Sequence, residues 1–140
     1  MSTPSFENQD SDLVILDMKE KQIRVLSVDD EPIINDVIHE LLSEHGYTVD
    51  STMHVREALK LVEINNYDVL ITDFMMPGID GITFAIKVKE KQPNCKIIVL
   101  TGSDEVDNMR GTELIYEVYH KPVNWTKLLK MMSQLAAAKG

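Results

Sequence analysis

Three short motifs carry residue types that can do chemistry together: Asp29-Asp30-Glu31, Asp73 and Lys121-Pro122. Each follows a short apolar run. Carboxylates gathered from separate segments repel one another in a partly desolvated cleft, and a cation relieves that repulsion. Mg²⁺ suits such a site, because it takes oxygen ligands, keeps several waters and is held by one or two carboxylates plus a phosphate. Asp30 and Asp73 are the expected direct metal ligands, with Asp29 acting through a water. Mn²⁺ accepts the same hard oxygen ligands and can substitute. Asp73 is also a candidate nucleophile, since a carboxylate can form an aspartyl phosphate. Phosphoryl transfer asks a protein mainly for positioning and charge neutralisation. Lys121 offers positive charge on a long flexible stem, and Pro122 biases its backbone toward an extended form. Thr101 offers a hydroxyl to a phosphoryl oxygen, and Gly102 a backbone N–H that no side chain obstructs.

Taken singly, each motif has a plainer reading. The acidic triplet can serve as helix N-terminal acid. Asp73 can be a turn residue, Thr101 a helix cap, and Lys121-Pro122 a common dipeptide. Only their order and spacing together point to a phosphoacceptor site.

The elements that must position these residues alternate regularly. Ile23–Val28, 47–52, Tyr67–Thr72, Lys96–Leu100 and 117–119 read as strands. Pro32 stands at a helix's first turn, Ile34, Val37, Ile38, Leu41 and Leu42 follow at helical spacing, and Gly46 provides the stop. Val55, Ala58, Leu59 and Val62 mark a second helix. Pro77-Gly78 and Asp80-Gly81 form a turn before a third, with Phe84, Ala85 and Val88 inward and Lys87, Lys89 and Lys91 as a solvated face. Residues 104–112 are expected to be a helix despite a poor pattern. Asn124 caps the last helix, whose Trp125, Leu128, Leu129, Met132 and Leu135 share a face. Five strands alternating with five helices imply an α/β fold, a parallel sheet between helical layers. Ligands of such sheets bind outside the carboxyl ends of the strands, where Asp29, Asp30, Asp73, Thr101 and Lys121 all fall.

The 140 residues suit one domain. With 44% hydrophobic and 26% charged residues the composition is that of an ordinary globular protein. No signal peptide or membrane-spanning run is read, so a cytoplasmic location is expected. The net charge of −9 argues against direct binding to nucleic acid or anionic lipid. The single cysteine, Cys95, rules out an internal disulfide and is expected to be a reduced, partly buried thiol. Residues 1–21 are read as a flexible N-terminal extension and 22–138 as the domain. Within the extension, Leu13-Val14-Ile15-Leu16 has no clear period, and its alternative reading is an apolar patch that docks on the domain or on a partner.

At these motifs the chain resembles the receiver domain of two-component response regulators. The resemblance rests on Val-Asp-Asp-Glu-Pro (28–32), Thr-Asp-Phe-Met-Met-Pro-Gly-Ile-Asp-Gly (72–81), Val-Leu-Thr-Gly (99–102) and Lys-Pro-Val (121–123), and it runs from Ile23 to about residue 136. It implies a flavodoxin-like doubly wound (βα)5 sandwich with strand order 2-1-3-4-5. It implies that Asp73 accepts a phosphoryl group from a histidine of a sensor kinase or phosphotransfer protein. Asp29, Asp30, Asp73 and the backbone carbonyl of Met75 would then hold Mg²⁺, while Thr101 and Lys121 contact the phosphoryl group. The domain would dephosphorylate itself, and its output would be a domain beyond residue 140 or a separate target. It would be a switch rather than an enzyme acting on other substrates.

The chain departs from this pattern in three places. The family usually carries Tyr or Phe three residues before the lysine, where this chain has Val118. Tyr119 is one place late, and a one-residue shift in a strand turns a side chain to the other face unless a bulge intervenes. The stretch from Thr101 to Lys121 is shorter than usual, so a short, distorted or mobile helix is expected there. Met75 borders the path of attacking water and cannot activate it, which predicts slow-to-moderate autodephosphorylation. The same residues admit two other readings: a metal-dependent phosphohydrolase, and an interaction module that works without phosphorylation.

Overall fold

A computed structural model describes residues 22–76 and 78–139. The expected extension, residues 1–21, lies outside the described residues. Five strands, β1 (Arg24–Val28), β2 (Thr48–Thr52), β3 (Val69–Asp73), β4 (Lys96–Thr101) and β5 (Glu117–His120), form one sheet. Its order is β2-β1-β3-β4-β5 and every pairing is parallel. Four α-helices accompany them: α1 (Pro32–Glu44), α2 (Val55–Ile64), α3 (Gly81–Lys91) and α4 (Trp125–Lys139). This is the doubly wound arrangement that the alternation of elements predicts, with the strand order that the family resemblance implies.

Alternation along the strands divides the interior in two. Leu26, Val28, Leu70, Ile97 and Val99 face α2 and α3, where Val55, Ala58, Phe84 and Val88 meet them. Val25, Val69, Ile71, Ile98 and Leu100 face α1 and α4, against Ile38, Leu42, Leu128 and Met132. Strands covered on both faces need apolar residues at both parities, which is why β3 and β4 read as almost unbroken hydrophobic runs. Helix starts and stops follow the sequence signals. Pro32 opens α1, and Gly46 leaves it at φ +89°, a backbone conformation that glycine adopts without steric penalty. Asn124 Oδ1 accepts the Lys127 N–H at 3.2 Å at the start of α4.

No α-helix forms over 104–112, and the short, distorted form expected of this shortened stretch is what remains. Between β4 and β5 there is only a 3₁₀ turn, Asp107–Met109. The physical reason is competition for the backbone. Ser103 Oγ takes the Glu105 N–H, Thr112 Oγ1 takes the Ile115 N–H and itself donates to the Met109 carbonyl, and Gly111 sits at φ +77°. Short polar side chains that bind nearby backbone groups offer the chain an alternative to the helix. Two buried apolar residues, Val106 and Ile115, pin the segment to the α2/α3 side of the core. Arg110 holds its far end, pairing with the Glu117 carboxylate and donating to the Val118 carbonyl. Among the described residues there are therefore four α-helices and one irregular connection in place of five.

Cys95 is also more enclosed than expected. It is fully buried, and burial pushes its thiol up to about 12.

Candidate metal and phosphoryl site

The site grows from the carboxyl ends of β1, β3 and β4. Asp29 follows β1, while Asp73 and Thr101 are the last residues of β3 and β4 rather than the first residues after them. At each of these ends a side-chain oxygen accepts the N–H two residues on. Asp29 Oδ1 takes Glu31 N at 2.9 Å, Asp73 Oδ1 takes Met75 N at 3.0 Å, and Thr101 Oγ1 takes Ser103 N at 3.2 Å. Such turns lead each chain sharply away from the sheet. In both aspartates they leave Oδ2 free to face the cleft.

Lys121 receives those oxygens. Its ammonium donates to Asp73 Oδ2 at 3.0 Å, Asp29 Oδ2 at 3.1 Å and Glu31 Oε1 at 3.2 Å. The Lys121 N–H donates to the Thr101 carbonyl at 2.8 Å, which ties the lysine to the end of β4, and the Lys121-Pro122 bond is cis. Carboxylate oxygens of Asp29, Asp30 and Asp73 lie within 4.8 Å of one another. Asp29 and Asp73 are buried and Asp30 is exposed. Burial raises the Asp29 carboxyl above its ordinary value, against the pull of the Glu31 N–H and Lys121. Burial alone would depress Lys121, but its hydrogen bonds to Asp73 and Asp29 prevail and raise it. The cluster is thus a pocket of negative charge closed by one cation. A divalent ion fits the same donor set: hard oxygens, close together, one of them on an exposed carboxylate with access to water.

These distances bear on the plainer readings of the motifs. Glu31 makes no side-chain cap for α1 and reaches Lys121 instead. Asp73 and Thr101 are turn residues, yet Asp73 keeps one oxygen for the site. Thr101 Oγ1 is fully buried at the strand end, with Ser103 as its hydrogen-bond partner. The Met75 side chain is 61% exposed over the cleft edge. Nothing would obstruct a side chain at Gly102, so its lack of one is not required by packing. Gly81 differs: a Cβ there would fall 2.7 Å from the Phe74 carbonyl, so the loop after Asp73 folds down only onto glycine. Asp80 then caps α3 by accepting the Ile82 N–H at 2.9 Å.

Asn35 is a residue that the motifs did not single out. It is buried on the inner face of α1. Its Nδ2 donates to the Asp29 and Thr52 carbonyls, both at 2.9 Å, and its Oδ1 accepts from Ser27 Oγ at 2.7 Å. It fixes the ends of β1 and β2, and with them the acidic pair. The available signal was a polar residue among apolar ones on the buried side of a helix.

Val118 and Tyr119 lie on opposite faces of β5. Val118 is fully buried in the α2/α3 core, whereas Tyr119 packs against the α1/α4 core. The β4–β5 register runs unbroken from Ile98↔Glu117 to Thr101↔His120. No bulge turns Tyr119 toward the Val118 side.

Fold and site together define a receiver module. The chain belongs to the response regulator receiver domain family, whose family model matches residues 25–133. It is 30% identical over 116 residues to the transcriptional regulatory protein TcrA of Mycobacterium tuberculosis, covering 81% of this chain and 46% of that protein. It is 38% identical over 89 residues to the regulatory protein VanR of Enterococcus faecium, covering 63% of this chain and 38% of that protein. The chain therefore spans less than half the length of these curated relatives. Among solved structures it is similar to the response regulator TrrA from Thermotoga maritima in complex with Mg(2+)-BeF. That match has 35% identity and a TM-score of 0.72, covering 81% of this chain and 98% of TrrA. A CheY-like receiver from Methanospirillum hungatei is 25% identical with a TM-score of 0.77, covering 84% and 96%.

Proposed function

We propose that Asp73 accepts a phosphoryl group from a phosphohistidine of a sensor kinase or phosphotransfer protein, in a Mg²⁺-dependent reaction. The observation that carries this reading is the Lys121 ammonium seated between Asp29 and Asp73, with the three aspartates close enough to share one ion. The complex of TrrA with Mg(2+)-BeF supports Mg²⁺ as the metal. In the transfer, an Asp73 carboxylate oxygen bonds to phosphorus as the donor's P–N bond breaks. The electron pair of that bond returns to the imidazole.

Asp29, Asp30 and Asp73 would hold the metal, with the Met75 carbonyl completing the protein's ligands. When bound, Mg²⁺ supplies positive charge to the carboxylates and to the phosphoryl oxygens, and Mn²⁺ can replace it on the same ligands. Lys121 turns its ammonium from the carboxylates to a phosphoryl oxygen. Thr101 donates its hydroxyl to another while still accepting from Ser103. Met75, too apolar to activate water, makes autodephosphorylation slow to moderate. The protein acts on itself alone and works as a switch, its state read by an output domain or a separate target in the cytoplasm. Val118 is too enclosed to serve as a moving aromatic would. The signal instead leaves through the Thr101–Ser103 turn and the irregular connection after β4.

Incubation with a phosphorylated kinase domain or phosphoramidate tests the reading by intact mass. We expect Mg²⁺-dependent addition of one phosphoryl group, lost with chelator, restored by Mn²⁺ and absent from Asp73→Asn. Uptake that survives Asp73→Asn, or no uptake from either donor, would overturn it.

A further inference from the structure

Without a helix between β4 and β5, a groove of about 780 Å³ opens along β5 and α4. Arg110, Tyr116, Tyr119, Lys127, Lys130 and Met131 line it. Among the described lining residues there are three cations and one carboxylate, Glu117, although the chain as a whole carries −9. Backbone pairing is not the means of binding here. The outward N–H and C=O of Val118 on this edge strand are already taken, by the Glu117 carboxylate and by Arg110. The groove offers aromatic and apolar surface with positive charge at its rim.

The described chain begins at the C-terminal end of α4. Lys139, at the end of α4, donates to the Gln22 carbonyl at 2.7 Å. A small cleft of about 180 Å³ lies there, bordered by Ile23, Lys96, Leu135 and Lys139. Lys96, which borders that cleft, holds its ammonium over the Tyr116 ring, 5.5 Å from the centroid, and Tyr116 lines the groove.

We propose that this groove receives the chain's own N-terminal segment, with Leu13-Val14-Ile15-Leu16 on Tyr116 and Tyr119 and the flanking aspartates on Lys127 and Lys130, Arg110 being held by Glu117. The segment has the matching chemistry, an apolar tetrad bracketed by Asp10, Asp12 and Asp17. It also has the reach. Leu13 precedes Gln22 by nine residues, which span up to ~30 Å when extended. Along α4, Lys127 lies 12 residues from Lys139, a distance of ~18 Å on a helix. A tether this short holds the segment at an effective concentration on the order of millimolar, so even weak contacts keep it seated. A partner that uses the β5–α4 face must displace it. The proposal is independent of phosphorylation at Asp73.

The test uses the full chain without Mg²⁺ or phosphoryl donor. A nitroxide is placed at position 9 through Gln9→Cys, the buried Cys95 being closed to the reagent. Amide signals of residues 116–119 and 127–134 are expected to lose more than half their intensity relative to the reduced label. Lys127→Glu with Lys130→Glu should return most of that intensity, and adding Asp10→Lys with Asp12→Lys should bring the loss back. The proposal fails if no region is selectively broadened, or if charge reversal changes nothing. It also fails if the effect centres on the groove beside Asp30 lined by Met53 and Leu59. Broadening that appears only between a labelled and a separately isotope-enriched copy would assign the groove to a second molecule and overturn docking within one chain.

Discussion

Lys121→Met isolates what one ammonium does among buried carboxylates. At 3.0 and 3.1 Å from Asp73 and Asp29, each attraction is ~5 kcal/mol at an effective dielectric constant of 20. Desolvation of the lysine offsets much of that sum. Removing the charge also leaves Asp29 and Asp73 facing each other within 4.8 Å, a repulsion of ~3 kcal/mol or more on the same scale. The alternative is for Asp29 to take a proton. Doing so at neutral pH from an ordinary pKa near 4 costs about 4 kcal/mol, which sets a ceiling. We expect Lys121→Met to lose about 3 kcal/mol without divalent metal, or roughly 10 °C in melting temperature. Mg²⁺ should restore the variant more than it stabilises the parent, because it no longer competes with a resident cation. At a hundredfold excess over its dissociation constant Mg²⁺ adds about 2.7 kcal/mol. Urea unfolding of both proteins, with Mg²⁺ and with chelator, measures the difference. Equal Mg²⁺ stabilisation of the two, or an undiminished variant in chelator, would show that Lys121 is not the cation of this cluster.

Three further outcomes follow from the same geometry. Asn35→Ala leaves the buried Asp29 carbonyl and the Ser27 hydroxyl without their partner and the Thr52 carbonyl with the Asp29 N–H alone, so denaturant unfolding should show a loss of about 2–4 kcal/mol together with weaker Mg²⁺ binding. The Asp29 carboxyl is held above its ordinary 3.8, so protons compete with Mg²⁺ at a higher pH than for a free carboxylate. Calorimetric titrations should show affinity falling already under mildly acidic conditions in the parent, and a flatter profile in Asp29→Asn. Cys95 and Lys121 are both raised on folding. The folded state then holds more protons than the unfolded chain above the thiol's ordinary value of ~8.5. Their contribution is complete below that pH and is lost as pH rises toward about 12, with Lys121 joining above its own ordinary value of ~10.4. Melting temperatures followed from pH 8 to 11 should fall, and Cys95→Ala should remove the earlier part of the decline.

The sequence by itself determined the sheet, its alternation with helices and the acidic cluster. Apolar periodicity is local, and Asp29, Asp30, Asp73, Thr101 and Lys121 stand at strand ends that a parallel sheet must bring to one edge. Tertiary structure decided what depends on which groups win a given backbone or oxygen. The alternation of elements calls for a helix over 104–112 despite a poor pattern there, but Ser103, Thr112 and the anchors Val106 and Ile115 take the chain elsewhere. Asn35 looked like one more polar residue until its amide was seen to bind two strand ends at once. The place of Tyr119 on the far face was settled by the register of β5 against β4, since strand parity has no meaning until the pairing is fixed. That one lysine serves Asp29, Glu31 and Asp73 together could be decided only in three dimensions, because their common point lies between segments separated by as many as 92 residues.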